Sequence, residues 1–297
     1  MASLRDVQNQ ITGVKKTKQI TKAMNMVASA KLRNAQERIE RFRPYADKFY
    51  EMLGDLAAGA DESVHPLLEV RDEVKTVAIM VTTSDRGLCG AFNINIINKA
   101  KKLAQKKAAE GKTVKMYCIG KKARDAFKKL DFEIVRADAD SMSGKFDFTL
   151  AASVGNELIS GYMNGELDEV HVVYGEFRSM AKQPPVALTV LPMAAQEEAE
   201  SQGESQGESG TGDYLYEPSV EGLLAELLPR FIKVQVYRGL LDTSASEHAA
   251  RMAAMDNATK ACDELTDSLT LLFNKTRQAA ITGDLMDIVG GVEALKG

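Results

Sequence analysis

Between Leu240 and Thr282 the chain runs for 43 residues without a glycine or a proline, the two residues most costly in a helix interior. Within that stretch and just around it, His248, Met252, Met255, Thr259, Cys262, Thr266, Leu269, Phe273, Thr276 and Ala280 are spaced alternately by four and three. Leu265 and Leu272 widen the stripe. Such a line is the seam of a long helix lying against another helix, not of a compact globular one. At 1.5 Å per residue the stretch spans roughly 65 Å, well beyond a typical domain element. A partner of similar length is required, and the other end of the chain supplies one.

Residues 1–57 read as that second long helix. Gly13 is the only early breaker, and Pro44 is expected to bend the helix rather than end it. Ala35, Ile39, Phe42, Ala46, Phe49, Leu53 and Leu56 repeat the spacing of four and three. Upstream, Leu4, Val7, Ile11 and Val14 form one stripe and Ile20, Ala23, Val27 and Ala30 another, so a shift of register like a coiled-coil stutter is predicted between them. This half is also basic. Arg5, Lys15, Lys16, Lys18, Lys22, Lys31 and Arg33 face a single acid, Asp6, within residues 1–33. The run reads either as a solvated helix face or as a rod end that meets an acidic surface. Met24, Met26, Met252 and Met255 fall on the two long helices, as core filler or as soft contacts for a surface that slides.

The middle of the chain changes pattern after Gly54, Gly59, Asp61 and Pro66. Val74–Thr82, Thr113–Ile119, Phe132–Val135, Glu169–Phe177 and Val186–Leu191 read as strands. Phe92–Ala109, Lys121–Leu130 and Phe146–Met163 read as helices. Alternation of this kind predicts a small α/β domain, residues 74–192, with a largely parallel sheet. Residues 193–213 form an acidic, low-complexity loop: from Ala194 to Asp213 there are six acids and no lysine or arginine, too little apolar surface to build a core. Pro218 and Ser219 then start the C-terminal helix, residues 219–290. The predicted fold is α/β: a long antiparallel coiled coil of N- and C-terminal helices with an inserted Rossmann-like domain.

Composition narrows the function. The chain is 44% apolar but only 6% aromatic, with no tryptophan, which suits long helices. Its longest strongly apolar runs are too short to span a bilayer. Cys89, Cys118 and Cys262 are far apart and His65, His171 and His248 are isolated, so neither a disulfide framework nor a metal site is expected. The N-terminus lacks a signal core or a presequence, and a cytoplasmic protein is expected.

An α/β domain invites a nucleotide-binding reading, which the residues do not support. A phosphate loop needs glycine five residues before its Gly-Lys. Gly111-Lys112, Gly120-Lys121 and Gly144-Lys145 have Lys106, Lys115 and Ala139 there. The turn Ser84-Asp85-Arg86-Gly87-Leu88-Cys89-Gly90 after the first strand lacks GxGxxG. No nucleophile–base set is suggested by spacing. A nucleic-acid-binding coil is the other alternative, but net charge is −4 and the basic run has no interleaved aromatics for base stacking.

KKTKQITKAMNMVASAKLR (Lys15–Arg33), SDRGLCGAFN (Ser84–Asn93) and the blocks ARMAAMDNATKACDEL and NKTRQAAITGDLMDIVGGVEAL resemble the γ subunits of F-type ATP synthases over the whole chain. The resemblance implies a central rotor shaft, peripheral to the cytoplasmic face of a bacterial membrane. Its terminal helices would form a coiled coil inside a ring of three α and three β subunits. Rotation of a proton- or Na+-driven c-ring would be coupled to cycling of the β sites. It implies no catalytic residue, cofactor or metal on this chain, since catalysis in the family belongs to β with α. Contacts with the β/α ring would come from Lys22, Met24, Arg33, Arg86, Cys89, Arg251, Arg277 and Gln278. The tail Leu285–Leu295 would sit in an apolar sleeve. Tyr214, Tyr216 and Glu217 would face the ε subunit and the c-ring. The acidic segment carries no cysteine, so the thiol regulation of some photosynthetic relatives is not expected.

Overall fold

In a computed structural model the described residues are 3–58, 65–69, 71, 73–142, 146–193 and 220–296. The elements run α1 (Leu4–Ala58), β1 (Thr76–Thr82), α2 (Phe92–Ala109), β2 (Thr113–Ile119), α3 (Lys121–Phe127), β3 (Glu133–Asp138), α4 (Phe148–Met163), β4 (Glu169–Gly175), β5 (Pro185–Leu191) and α5 (Val220–Lys296). The chain divides into two compact units. One joins Met1–Ser29 to Arg251–Gly297, and the other is Ala30–Ala250.

The first unit is an antiparallel helix pair. Ser3 opens α1 as a capping box: the Asp6 amide donates to Ser3 Oγ at 3.2 Å, and the Ser3 amide donates to Asp6 Oδ2 at 3.1 Å. Two orphan donors of the first turn are thereby satisfied. The seam continues through Leu4, Val7, Ile11, Val14, Lys18, Thr21 and Ala28, all buried or half-buried. Ile20 is 60% exposed and Val27 58% exposed, and Ala23 and Ala30 face out as well. The predicted register shift is therefore absent. Polar side chains occupy the seam instead, and each has a partner across it. Lys18 Nζ meets Asp263, the Thr21 and Thr259 hydroxyls lie 2.8 Å apart, and Asn25 Nδ2 donates to Met252 O at 2.8 Å. From α5, Met255, Thr259, Cys262, Thr266, Leu269, Phe273 and Thr276 complete the seam, while Leu265 and Leu272 remain exposed.

The second unit is built on a five-stranded sheet of order β3-β2-β1-β4-β5. All neighbours are parallel except β4 and β5. The central strand β1, TVAIMVT, is buried on both faces from its second residue onward, as a parallel strand covered by helices on each side requires. At the far edge β3 alternates exposed and half-buried positions. On one face, Ala78, Met80, Tyr117 and Val172 pack against Leu158 and Tyr162 of α4 and against Leu224, Leu228, Ile232 and Val236 of α5, with Phe49 of α1. On the other, Val77, Ile79, Val81, Met116 and Cys118 pack against Ile96, Ala100 and Ala104 of α2 and Phe127 of α3. The helix interiors contain Pro44 and Pro229. Both lie in this unit.

Candidate partner-binding surface

In a doubly wound sheet the ligand crevice opens beyond the strand ends where the order reverses, here between β1 and β4. Residues of the chain itself fill that place. Thr83 Oγ1 accepts from the Ala123 amide at 2.8 Å, and Asp85 Oδ1 accepts from the amides of Lys121 (2.9 Å) and Asp140 (3.1 Å). The amides that open α3, beyond the ends of β1 and β2, thus already hold a hydroxyl and a carboxylate and leave no spare donors there for an anion. Gly120, at φ +96°, is required for this close approach, because a Cβ there would stand 2.2 Å from Thr83 O. On the β4 side α5 crosses the strand end. Gly239 packs on Tyr174 and Val172, and Ser246 Oγ donates to Gly175 O at 3.0 Å. The helix segment Asp242-Thr243-Ser244-Ala245-Ser246-Glu247 is buried throughout. Its short side chains let a helix lie against a backbone end where larger ones would hold it off.

The turn after β1 is fixed from within. Asn93 Oδ1 accepts from the Ser84 amide at 3.0 Å, and Asn93 Nδ2 donates to Cys89 Sγ at 3.1 Å. Cys89 is 2% exposed. Its sulfur tightens the turn, while Arg86 and Leu88, at φ +63°, stand out from it. The other expected contacts divide between the units. Lys22 is exposed and Met24 half-buried, and Met24 and Arg251 each lie one residue from the Asn25–Met252 hydrogen bond. Arg277 and Gln278 are exposed on α5. Arg33, in the other unit, is exposed and spaced one turn from Glu37, whose carboxylate it meets at 3.4 Å. Tyr214, Tyr216 and Glu217 lie outside the described residues.

A further apolar surface lies at the end of α5. The pairings 18 with 263, 21 with 259 and 25 with 252 set an antiparallel register that puts Leu4 opposite the region of Arg277. Beyond it α5 continues to Lys296 with no segment of α1 alongside. Ile281, Leu285, Met286, Ile288, Val289, Val292 and Leu295 (89% exposed) all face out there. Apolar side chains this dense along one helix mark an interaction surface. No described helix is long and apolar enough to cross a membrane, and no group of metal-ligating side chains occurs among the described residues.

The class these features define is a two-helix coiled coil combined with a doubly wound α/β unit whose ligand crevice is closed by its own chain. Residues 3–295 match the family described as ATP synthase. The chain is 71% identical over 300 residues to the ATP synthase gamma chain of Maridesulfovibrio salexigens, covering all of both chains. It is 69% identical over 297 residues to that of Nitratidesulfovibrio vulgaris, again covering both chains fully. Among solved structures it is similar to a chain of the Euglena gracilis mitochondrial ATP synthase, determined with OSCP, F1 and c-ring. The TM-score is 0.66 at 23% identity, covering 98% of this chain and 94% of that one. The chain therefore belongs to the ATP synthase gamma-chain family, the family of the central stalk.

Proposed function

We propose that this chain is the rotor of a bacterial F1Fo ATP synthase, coupling rotation of a proton- or Na+-driven c-ring to the conformational cycle of the catalytic β subunits. The observation that carries the reading is the apolar end of α5, from Ile281 to Leu295, which outruns its helical partner and stays uncovered. A shaft held in a ring of other subunits needs such an end. The polar seam suits the same task, because matched polar pairs fix the register of two helices that must not slip under load.

In this reading the chain holds no catalytic residue and no cofactor, and ATP is turned over on β with a contribution from α. Three α and three β subunits surround the coil, touched by Lys22, Met24, Arg33, Arg86, Arg251, Arg277 and Gln278. The turn of Cys89 joins them, with Leu88 as its exposed apolar side chain. Tyr214, Tyr216 and Glu217 face the ε subunit and the c-ring, and the protein lies peripherally on the cytoplasmic face of the membrane. The test is reconstitution. Purified α and β subunits are mixed with and without this chain, separated by size, and assayed for ATP hydrolysis. A complex of three α, three β and one copy of this chain, with raised sustained turnover, supports the proposal. A chain that stays apart and leaves turnover unchanged defeats it.

A further inference from the structure

Asp242 is an acid in a place that does not stabilise its charge. It sits in the α5 segment beside the β4 strand end, 8% exposed, on the wall of a cavity of about 210 Å³. Three elements meet there: α1 through Ile39, Phe42, Arg43 and Asp47, the strand exit through Glu176 and Phe177, and α5 through Arg238 and Asp242. Among the described residues no hydrogen bond or ion pair reaches the Asp242 carboxyl. The charged groups that face it are Arg238 from its own helix, Arg43 and Asp47 from α1, and Glu176 from the strand exit. Glu176 is itself held by Arg178 at 2.6 Å. The two arginines favour the ionised acid across space, Glu176 opposes it, and burial outweighs them all.

We propose that this cavity is a proton-operated joint: a proton on Asp242 lets the Ile39–Asp47 face of α1 and the Glu176–Phe177 exit close on α5, and loss of that proton opens them. A neutral carboxyl tolerates the apolar walls of Phe42, Phe177 and Leu241. An ionised one demands water, and the cavity is roomy enough to take in several molecules. Burial pushes the Asp242 acid up to about 7, so the joint works in the range of cytoplasmic pH. The sign follows from linkage: the closed form binds the proton more tightly than the open form. Closing is therefore most favourable in acid, weakens as pH rises from the ordinary carboxylate range, and levels off above about 7.

The test is amide hydrogen exchange on the full chain between pH 5 and 8, normalised to intrinsic rates, read in peptides covering 39–47, 175–178 and 238–245. The expected protection falls by up to tenfold per pH unit between pH 5 and 7 and then flattens, while β1 and β2 do not change. Asp242→Asn removes the slope and at pH 8 is protected at least tenfold more than the unaltered chain. A carboxyl carbon titration of the unaltered protein gives the second reading, with a midpoint near neutrality for Asp242. A midpoint in the ordinary carboxylate range overturns the proposal whether or not the variant folds. So does the same exchange slope in Asp242→Asn.

Discussion

The Thr21 and Thr259 hydroxyls meet at 2.8 Å across the two terminal helices, at a seam position where Thr21 is 8% exposed. One hydroxyl donates to the other, and the recipient is left to donate to a carbonyl of its own helix, Lys18 O at 3.0 Å or Met255 O at 2.8 Å. Thr21→Val and Thr259→Val are each expected to cost about 1 kcal/mol, the net value of one such bond. The double variant is expected to cost less than the sum, because the two changes remove the same interaction. Denaturant unfolding of the four proteins checks it.

That pair also explains why the seam of α1 is hidden from periodicity: Ile20, Ala23, Val27 and Ala30 make an apolar stripe, but it faces out. The true seam passes through Lys18, Thr21 and Asn25, which look like surface residues until their partners Asp263, Thr259 and Met252 are in view. Periodicity of hydrophobicity cannot register a polar contact satisfied 230 residues away. The C-terminal seam was legible because Met255, Leu269 and Phe273 mark it. The strands were legible because runs such as TVAIMVT leave little choice. The surroundings of Cys89 are hidden in the sequence for a related reason: only the fold brings Ser84, Asn93 and the thiol together.

The uncovered end of α5 gives a second prediction. Leu285→Asp combined with Ile288→Asp places charge where both side chains face out. Thermal unfolding of the isolated chain is expected to change by no more than about 0.5 kcal/mol, as for surface substitutions generally. Co-elution with α and β subunits is expected to fail. Loss of fold in the isolated variant would show instead that this end is held by the chain itself.

Glu169, at the start of β4, gives a pH dependence. Burial alone would raise its acid, but the His171 ring 2.9 Å away and the hydrogen bond from Lys107 outweigh that and hold it at about 2. A carboxylate depressed in the folded state stabilises the protein above the unfolded value and loses that contribution as pH falls. Stability worth about 3 kcal/mol is therefore expected to disappear between pH 5 and 2. Lys107→Met should shrink this loss by removing the ion pair at 2.5 Å. Urea midpoints measured across that window test both statements.

Gly120→Ala sets a methyl group against Thr83 O in a backbone of positive φ. Relief requires β1 and the start of α3 to separate, breaking the Thr83–Ala123 and Asp85–Lys121 contacts. A loss of about 3 kcal/mol or more is expected, read as a lowered melting temperature. Gly111→Ala serves as the control, since it shares a positive φ but has open space around it.

Both faces of the sheet are finished by residues of one helix, α5, near the C-terminal end of the chain. Leu224, Leu228, Ile232 and Val236 cover Met80 and Val172 on one side, while Ala250 reaches the cluster of Val81 and Phe92 on the other. A growing polypeptide that has left the ribosome only as far as Leu191 owns every strand and the helices α1 to α4, yet lacks the α5 residues that complete the cover. Its domain cannot settle during synthesis in the order its strands emerge. Completion waits for the last quarter of translation. A product cut short there leaves Met80 and Val172 without their α5 cover.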